Sequence, residues 1–407
     1  LADREHGTRS GPTPARKLYR VVTRIDVLSA VYILLLCAAF VLETRGHRNL
    51  FYVLGLPVFL VNLYALDAGR LWDSRLVRLA AVYAGYFLAA GFFGEGFDWD
   101  EMADLLRVTA LLAVFFAITV LLAAREPGLE RRLSFWLALT AAATLLVLFA
   151  GAASGLNTQG WRFTAFGLAS QPVIGATLYG FVALLSAFVL LPRAASWPER
   201  LLWLGVIAIC VLFMLLTSSR GPLLALTLAL ALGLLTADRR IALAVLALTA
   251  AAALAAVLTD QRPITLLYER AQSGHFELWQ QALAAIAERP WFGYGSLTDI
   301  TFTGKQGPQR SPHNLVLANQ IYGGLPATLL FTALIGYALW LALGRLRRGQ
   351  AIYLMLLAYG FGASLFDSRS LLQNLGREWI TLWLPIALLA AGELRGGKTA
   401  ESSSPPS

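Results

Sequence analysis

About twelve runs of apolar residues, each near the length needed to cross a bilayer, dominate this sequence. They fall at about 26–43, 50–66, 76–94, 103–124, 133–154, 172–192, 199–217, 221–236, 241–259, 325–344, 351–366 and 377–392. A hydrocarbon core of ~30 Å takes roughly 20 residues of helix, so several of these runs are at the short end. Backbone groups cannot be left unpaired in hydrocarbon, and the runs are too long and continuous for barrel strands, so helices are the solution. With 57% of its 407 residues hydrophobic and 14% charged, the chain carries more apolar surface than a soluble protein can hide. The expected fold is an all-α integral membrane protein with about twelve transmembrane helices.

Arginine and lysine set the direction of the helices. The N-terminal segment carries Arg16, Lys17, Arg20 and Arg24. Alternate connections then hold Arg70 and Arg75; Arg125, Arg131 and Arg132; Arg193 and Arg200; Arg239 and Arg240; and Arg345, Arg347 and Arg348. The C-terminal segment holds Arg395 and Lys398. These are expected on the cytoplasmic side, whereas the opposite connections include the acidic GEGFDWDEM at 94–102, without Lys or Arg. The expected organisation is a cytoplasmic tail at 1–25, nine spans over 26–259, and an outer loop with a rim half-helix over 260–324. Three further spans follow over 325–392, then a disordered cytoplasmic tail at 393–407. The net charge of +9 is explained by this topology, since the basic residues are scattered between apolar spans rather than gathered for nucleic acid. Cys37 and Cys210 lie inside apolar runs and read as small core residues. The residues before Arg24 lack a signal-peptide core, and the missing initiator Met suggests processing.

Several outer connections carry residues that a plain linker does not require. In LLTSSRGPLLAL (215–226), Ser218 or Ser219 can cap the next helix and Pro222 suits its first turn. Arg220 then stands at a helix N-terminus, electrostatically the wrong end for a cation. A guanidinium and orphan N–H groups converging there suit a phosphate, the alternative being an arginine snorkelling to headgroups. Arg162, flanked by Trp161 and Phe163, is the lone charge of GLNTQGWRFTAFGLASQP (155–172). It either lines an anion or sugar cavity or stands in the interfacial aromatic belt.

In the long outer loop, Phe276, Trp279, Ala282, Leu283 and Ile286 share one helical face, with Glu277, Gln280, Gln281 and Glu288 opposite. Gly274 precedes this helix and Arg289-Pro290 ends it, so it is expected to lie along the membrane plane and can roof a cavity. Arg270 and Arg289 flank it as candidate phosphate partners.

The stretch QRSPHNLVLANQIYGGLPA (309–327) places a titratable ring where a span begins. Ser311 reads as N-cap, Pro312 as the first helical residue and His313 as a first-turn residue. A helix N-terminus disfavours an imidazolium, which leaves a neutral ring able to accept a proton as a general base. From His313 to Leu343 a helix would be about 46 Å long at ~1.5 Å per residue, too long for one span. Gly323, Gly324 and Pro326 are therefore expected to separate a rim half-helix near 312–322 from a span beginning about 325.

No Walker loop, HExxH, CxxC pair or Gly-rich dinucleotide turn is present. The outer acids Asp98, Asp100, Glu101, Glu277, Asp299, Asp367 and Glu378 show no spacing that requires a metal. No charge pair inside a span suggests a proton relay, which weakens a transporter reading.

SSRGPLLAL at the head of a span, then SGHFELWQQALAAIAERPWFGYG in a long outer loop, then SPHNLVLANQIYGGLPA resemble the O-antigen ligase and polymerase superfamily. The motif-bearing part covers about 215–327. The resemblance implies a GT-C-like fold, a periplasmic site on a bacterial inner-membrane protein, and no metal or cofactor. It implies a glycosyltransferase with an undecaprenyl-diphosphate-linked O-antigen as donor and lipid A–core oligosaccharide as acceptor. By position, Arg220 matches the arginine of the SRG turn and His313 the histidine of the HN motif. His313 would be the general base of an inverting transfer, and Arg220, with Arg162, Arg270 or Arg289, would hold the diphosphate. Relatives often carry arginine where this chain has His275, which leaves the roles of the loop arginines open. They also tend to carry an acid before a Gly-Ile-Gly turn, where this chain has Tyr322-Gly323-Gly324. The single substantial outer loop favours a ligase over a polymerase, and a lipid-glycan flippase is the competing class.

Overall fold

The computed structural model describes residues 22–94, 97–152, 158–159, 162–236, 239–259, 275–304 and 307–401. A helix stands at every one of the apolar runs read from the sequence. They are α1 Ile25–Ala38, α2 Thr44–Ala65, α3 Arg75–Ala90, α4 Trp99–Arg125, α5 Leu129–Ala152, α6 Pro172–Leu185, α7 Trp197–Leu216, α8 Arg220–Leu234 and α9 Arg239–Thr259. The amphipathic α10 is His275–Glu288, and α11 Leu315–Leu346, α12 Ile352–Ser364 and α13 Leu384–Glu401 follow. Among the described residues, seven helical stretches are long and apolar enough to cross a membrane, those of α2 to α7 and α11. The helices α1, α8 and α12 are apolar but shorter. The only strands among the described residues form two short antiparallel pairs, β1 Thr158–Gln159 with β2 Arg162–Phe163, and β3 Phe302–Gly304 with β4 Gly307–Gln309.

The sorting of apolar surface is that of a bundle in lipid. The axis of the bundle is α6, whose residues from Gly175 to Leu185 are all buried, as is the helical turn Ser186–Leu190 that continues it. On the perimeter, Val53 is 79% exposed and Val147 63%, an arrangement that lipid tolerates and water penalises. The helices α8 and α12 pack along their length, with Ala225 against Gly362 and Phe366 against Gly221. Tyr359 donates its hydroxyl to the carbonyls of Ala176 and Thr177 at 3.1 and 2.9 Å, fixing α12 to α6.

Alternate connections gather at opposite ends of the bundle. At one end Arg125 donates to the Leu66 carbonyl at 3.1 Å, and Glu393 accepts from Ser74, the Leu76 amide and Tyr337. At the other end the Gly91–Gly94 turn abuts residues 294–298, and Arg107 reaches Asn374 at 3.4 Å. The first end holds the 66–75 connection, Arg125 and the Glu393 segment together.

The break expected in α11 is real. Gly324 has φ +64° and ψ −162°, outside helical geometry, and Pro326 follows within the same continuous element. A side chain at Gly324 would fall on the Trp291 carbonyl oxygen, and one at Gly293, φ +68°, on that of Ile321. Backbone therefore docks on backbone, which only glycine permits at such φ values. The Leu325 amide freed by the break donates to the Trp291 and Pro290 carbonyls at 3.0 and 3.2 Å, and the Tyr294 amide to that of Ile321 at 2.8 Å. Residues 290–294 are thus a plug that satisfies the broken helix.

Candidate active site

Three segments far apart in sequence meet at the second end of the bundle: the turn before α11, the α12–α13 connection, and α10. The connection carries DSRSLLQNLGRE from Asp367 to Glu378. Within it Arg377 is buried, and all three guanidinium nitrogens are engaged. Nε donates to Glu378 Oε1 at 2.8 Å, one terminal nitrogen donates to Asp367 Oδ2 at 2.6 Å, and the other donates to the Asp367 main-chain oxygen. Ser368 Oγ also donates to Glu378 Oε1, at 3.2 Å. Arg377 therefore fixes both the backbone and one carboxylate oxygen of Asp367. Burial by itself would raise the Asp367 carboxyl, but the Arg377 charge and the His313 contact outweigh it and hold the group below the usual carboxylate range.

The second oxygen, Asp367 Oδ1, lies 3.1 Å from His313 Nδ1. A carboxylate only accepts, so Nδ1 carries the hydrogen of that bond, and in the neutral ring the lone pair is on Nε2. Gln309, at the end of β4, stands 3.4 Å from Nε2. Its amide oxygen and nitrogen are interchangeable in position, and only the nitrogen can donate to that lone pair.

The local conformation of His313 differs from the sequence expectation. Asn314, not Ser311, is the N-cap: its Oδ1 accepts from the Val316 and Leu317 amides at 3.0 and 3.1 Å, and the helix begins at Leu315. Ser311 Oγ instead accepts from the His313 amide at 3.1 Å, and His313 sits outside the helix at φ +51°. An asparagine side chain reaches two amides at once, so it displaces the serine two residues beyond the proline. The left-handed backbone is sparsely populated by residues with a Cβ, and here it turns the imidazole back toward Asp367. The amphipathic α10 closes over this turn. Trp279 Nε1 donates to the Pro312 carbonyl at 3.1 Å, and the Trp279 ring faces that of Phe366 at 6.3 Å.

A cavity of about 280 Å³ opens beside the pair. His313, Asp367, Ser311, Arg369, Arg377 and Glu378 line it, together with Thr44, Leu168, Gln171 and Ile174. Arg369 lies 3.6 Å from Asp299, and its guanidinium carbon sits 5.4 Å from the Tyr322 ring centroid.

The other candidates fall around this centre in different ways. Arg220 opens α8 with Ser219 as the preceding residue, as expected, although the Ser219 side chain makes no cap bond. The next residue, Gly221, touches Phe366, with only 2.8 Å between an added Cβ and the Phe366 Cβ. Arg220 is therefore on the turn that abuts the Asp367 segment, but it does not line the cavity. Arg289 ends α10 with its guanidinium carbon 4.8 Å from the Tyr294 centroid, also outside the lining. Arg162 belongs to β2, paired with Gln159, and its side chain lies outside the described residues. Arg270 also lies outside them, as does the side chain of His275. Sequence pattern marks Asp367 and Glu378 only as acids of a connection, and does not single out Arg369 or Arg377. Two arginines in an outer connection, against the charge pattern of the rest of the chain, were the signal that marks them.

Long apolar helices with apolar perimeters define a multi-pass membrane protein, with a polar cavity at one end of its bundle. Residues 204–332, from α7 to the start of α11 beyond its break, match the family model described as O-antigen ligase. Over 358 residues the chain is 28% identical to the O-antigen ligase of Pseudomonas aeruginosa, covering 85% of this chain and 84% of that protein. The chain is thus similar to an O-antigen ligase over most of its length, and to the family model over residues 204–332.

Proposed function

We propose that this protein transfers an O-antigen glycan from undecaprenyl diphosphate to a sugar hydroxyl of lipid A–core at the periplasmic face of the inner membrane. The observation that carries the reading is the His313–Asp367 pair, held by Arg377 at the wall of the cavity. In this reading about twelve helices cross the bilayer in a GT-C-like arrangement, both termini are cytoplasmic, and neither metal nor cofactor takes part.

The acceptor hydroxyl oxygen attacks the anomeric carbon of the donor from the face opposite the diphosphate. Its proton passes to His313 Nε2 as the new C–O bond forms. The anomeric carbon–diphosphate bond breaks with its electron pair on the departing oxygen, so the configuration inverts. Asp367 keeps the hydrogen of the ring on Nδ1 and stabilises the imidazolium that forms, without taking the proton itself. General base catalysis contributes typically ~10²–10⁴-fold, so stabilising the leaving diphosphate must carry much of the rest. Arg220 is the proposed partner at the α8 N-terminus, joined by one or more of Arg162, Arg270 and Arg289. The contact between Gly221 and Phe366 supports Arg220, since it brings that helix start to the Asp367 segment.

The test is a ligation assay with purified full-length protein, a lipid-linked glycan and lipid A–core. His313→Ala and Arg220→Ala are each expected to lose at least about 100-fold in turnover. Near-wild-type turnover in both would sink the mechanism. Polymer lengthening from donor alone would make the chain a polymerase, and glycan movement across vesicles without a covalent product would make it a flippase.

A further inference from the structure

The cavity wall contains two arginines, and they are not in the same state. Arg377 is 6% exposed, with every nitrogen committed to Glu378 or Asp367. Arg369 is 43% exposed and meets a carboxylate only at 3.6 Å, on Asp299, which is itself 52% exposed. Asp299 is also 3.5 Å from Arg310, so a single carboxylate spans two cations from different segments. Contacts that long between solvated groups contribute about 0–1 kcal/mol, and they exchange readily for a better anion. The Tyr322 ring lies 5.4 Å from the Arg369 guanidinium carbon and its hydroxyl takes one hydrogen bond from that arginine, which holds the guanidinium near the cavity mouth and leaves its other donors for an anion.

We infer that Arg369 is a diphosphate-binding residue of the cavity and that Asp299 is its exchangeable counter-ion, released when the anionic head of the donor takes its place. The planar fork of an arginine matches phosphate oxygens in pairs, which a half-solvated carboxylate 3.6 Å away does not reproduce. Asp299 lies just before β3, on the segment that continues from the plug in the α11 break. Its release frees the link between that segment and the Asp367 connection as the donor docks. Discrimination follows from the same geometry: a lipid-linked glycan with a diphosphate displaces Asp299, and a neutral polyprenyl alcohol does not. The inference rests on the proposed use of a prenyl diphosphate donor.

Direct binding of farnesyl diphosphate to the purified full-length protein tests it, with farnesol as the neutral control. Arg369→Gln is expected to weaken farnesyl diphosphate binding about 10- to 100-fold and to leave farnesol unchanged. Arg369→Lys, which keeps the charge without the fork, should fall between them and shows that the fold survives. Asp299→Asn removes the competitor and should tighten binding roughly 3- to 10-fold. Wild-type affinity in Arg369→Gln overturns the assignment, and weakened affinity in Asp299→Asn overturns the exchange. Wild-type protein that ignores farnesyl diphosphate while His313→Ala abolishes ligation overturns the inference and spares the mechanism. The expected binding pattern alongside undiminished ligation by His313→Ala does the reverse.

Discussion

Asp367→Asn is the substitution whose consequence the geometry fixes most closely. In the wild-type site the carboxylate accepts from His313 Nδ1 at 3.1 Å and from Arg377 at 2.6 Å. The amide that replaces it has one acceptor and one donor. Arg377 can only donate, so it claims the amide oxygen and turns the NH₂ toward the imidazole. Nδ1 then becomes an acceptor, the ring hydrogen moves to Nε2, and the lone pair that would receive the acceptor proton is gone. Loss of a correctly oriented base is a loss of about 10²–10⁴-fold in turnover. Donor affinity should change by no more than about 3-fold, because the cations on the phosphate side are untouched. Breaking a buried ion pair costs about 3–5 kcal/mol. Asp367 is 26% exposed and Arg377 keeps Glu378, so a loss of roughly 1–3 kcal/mol is expected here. The assay pairs single-turnover ligation with thermal unfolding in the same detergent. Asp367→Asn retaining more than about a third of wild-type turnover would refute the argument, because the ring would then not depend on this carboxylate.

Four further outcomes follow. The Asp367 carboxyl is depressed in the fold, so its contribution to stability is complete above the unfolded value near 3.8 and is lost as pH falls below that point through the folded value. Unfolding temperature should drop on acidification in that window, and the drop attributable to this group should be missing from Asp367→Asn. At His313, φ +51° penalises a β-branched side chain more than asparagine. His313→Asn should therefore fold normally and His313→Val lose about 1–2 kcal/mol more, with both inactive in ligation. Arg377→Met leaves the buried Glu378 and the partly exposed Asp367 without their shared cation, and should cost about 2–4 kcal/mol in denaturant titration besides the loss of activity. Gly324→Ala puts a methyl group on the Trp291 carbonyl at φ +64°, and should destabilise by about 1–3 kcal/mol and increase hydrogen exchange at Leu325 and Tyr294.

The helices, their order and the break in α11 were legible because each rests on a local signal. Apolar run length marks the first two, and Gly-Gly-Leu-Pro with an excess of length marks the third. The amphipathic α10 was legible in part, since its period is local: Trp279, Ala282 and Ile286 pack inward as read, but Leu278 joins them while Phe276 and Leu283 stay exposed. His313 could be singled out because a titratable ring at the head of a span is conspicuous in an apolar chain. Its conformation could not, because Ser311 and Asn314 are both competent caps and the choice between them depends on which amides the chain presents. The Asp367–Arg377 pair was hidden for a different reason. Fifty-four residues separate His313 from Asp367, and only the packing of α12 on α8 and of α11 on α12 brings them together. Sequence spacing carries no record of such a contact.

That packing also explains why the roles divide as they do between the arginines. A cation fully engaged by carboxylates holds geometry and has no donor left for a ligand, which is the position of Arg377. A cation at the cavity edge whose carboxylate partner is long and solvated holds little geometry and keeps donors for a ligand, which is the position of Arg369 beside Asp299 and the Tyr322 hydroxyl. The His313–Asp367 pair needs the first kind of neighbour, because an imidazole that must keep one tautomer cannot share its carboxylate with an arriving phosphate. Had the two arginines exchanged environments, the diphosphate would compete with His313 for the group that orients it. In the proposed mechanism, separation of the anchoring cation from the available one would let the site accept a highly charged donor without disturbing the base.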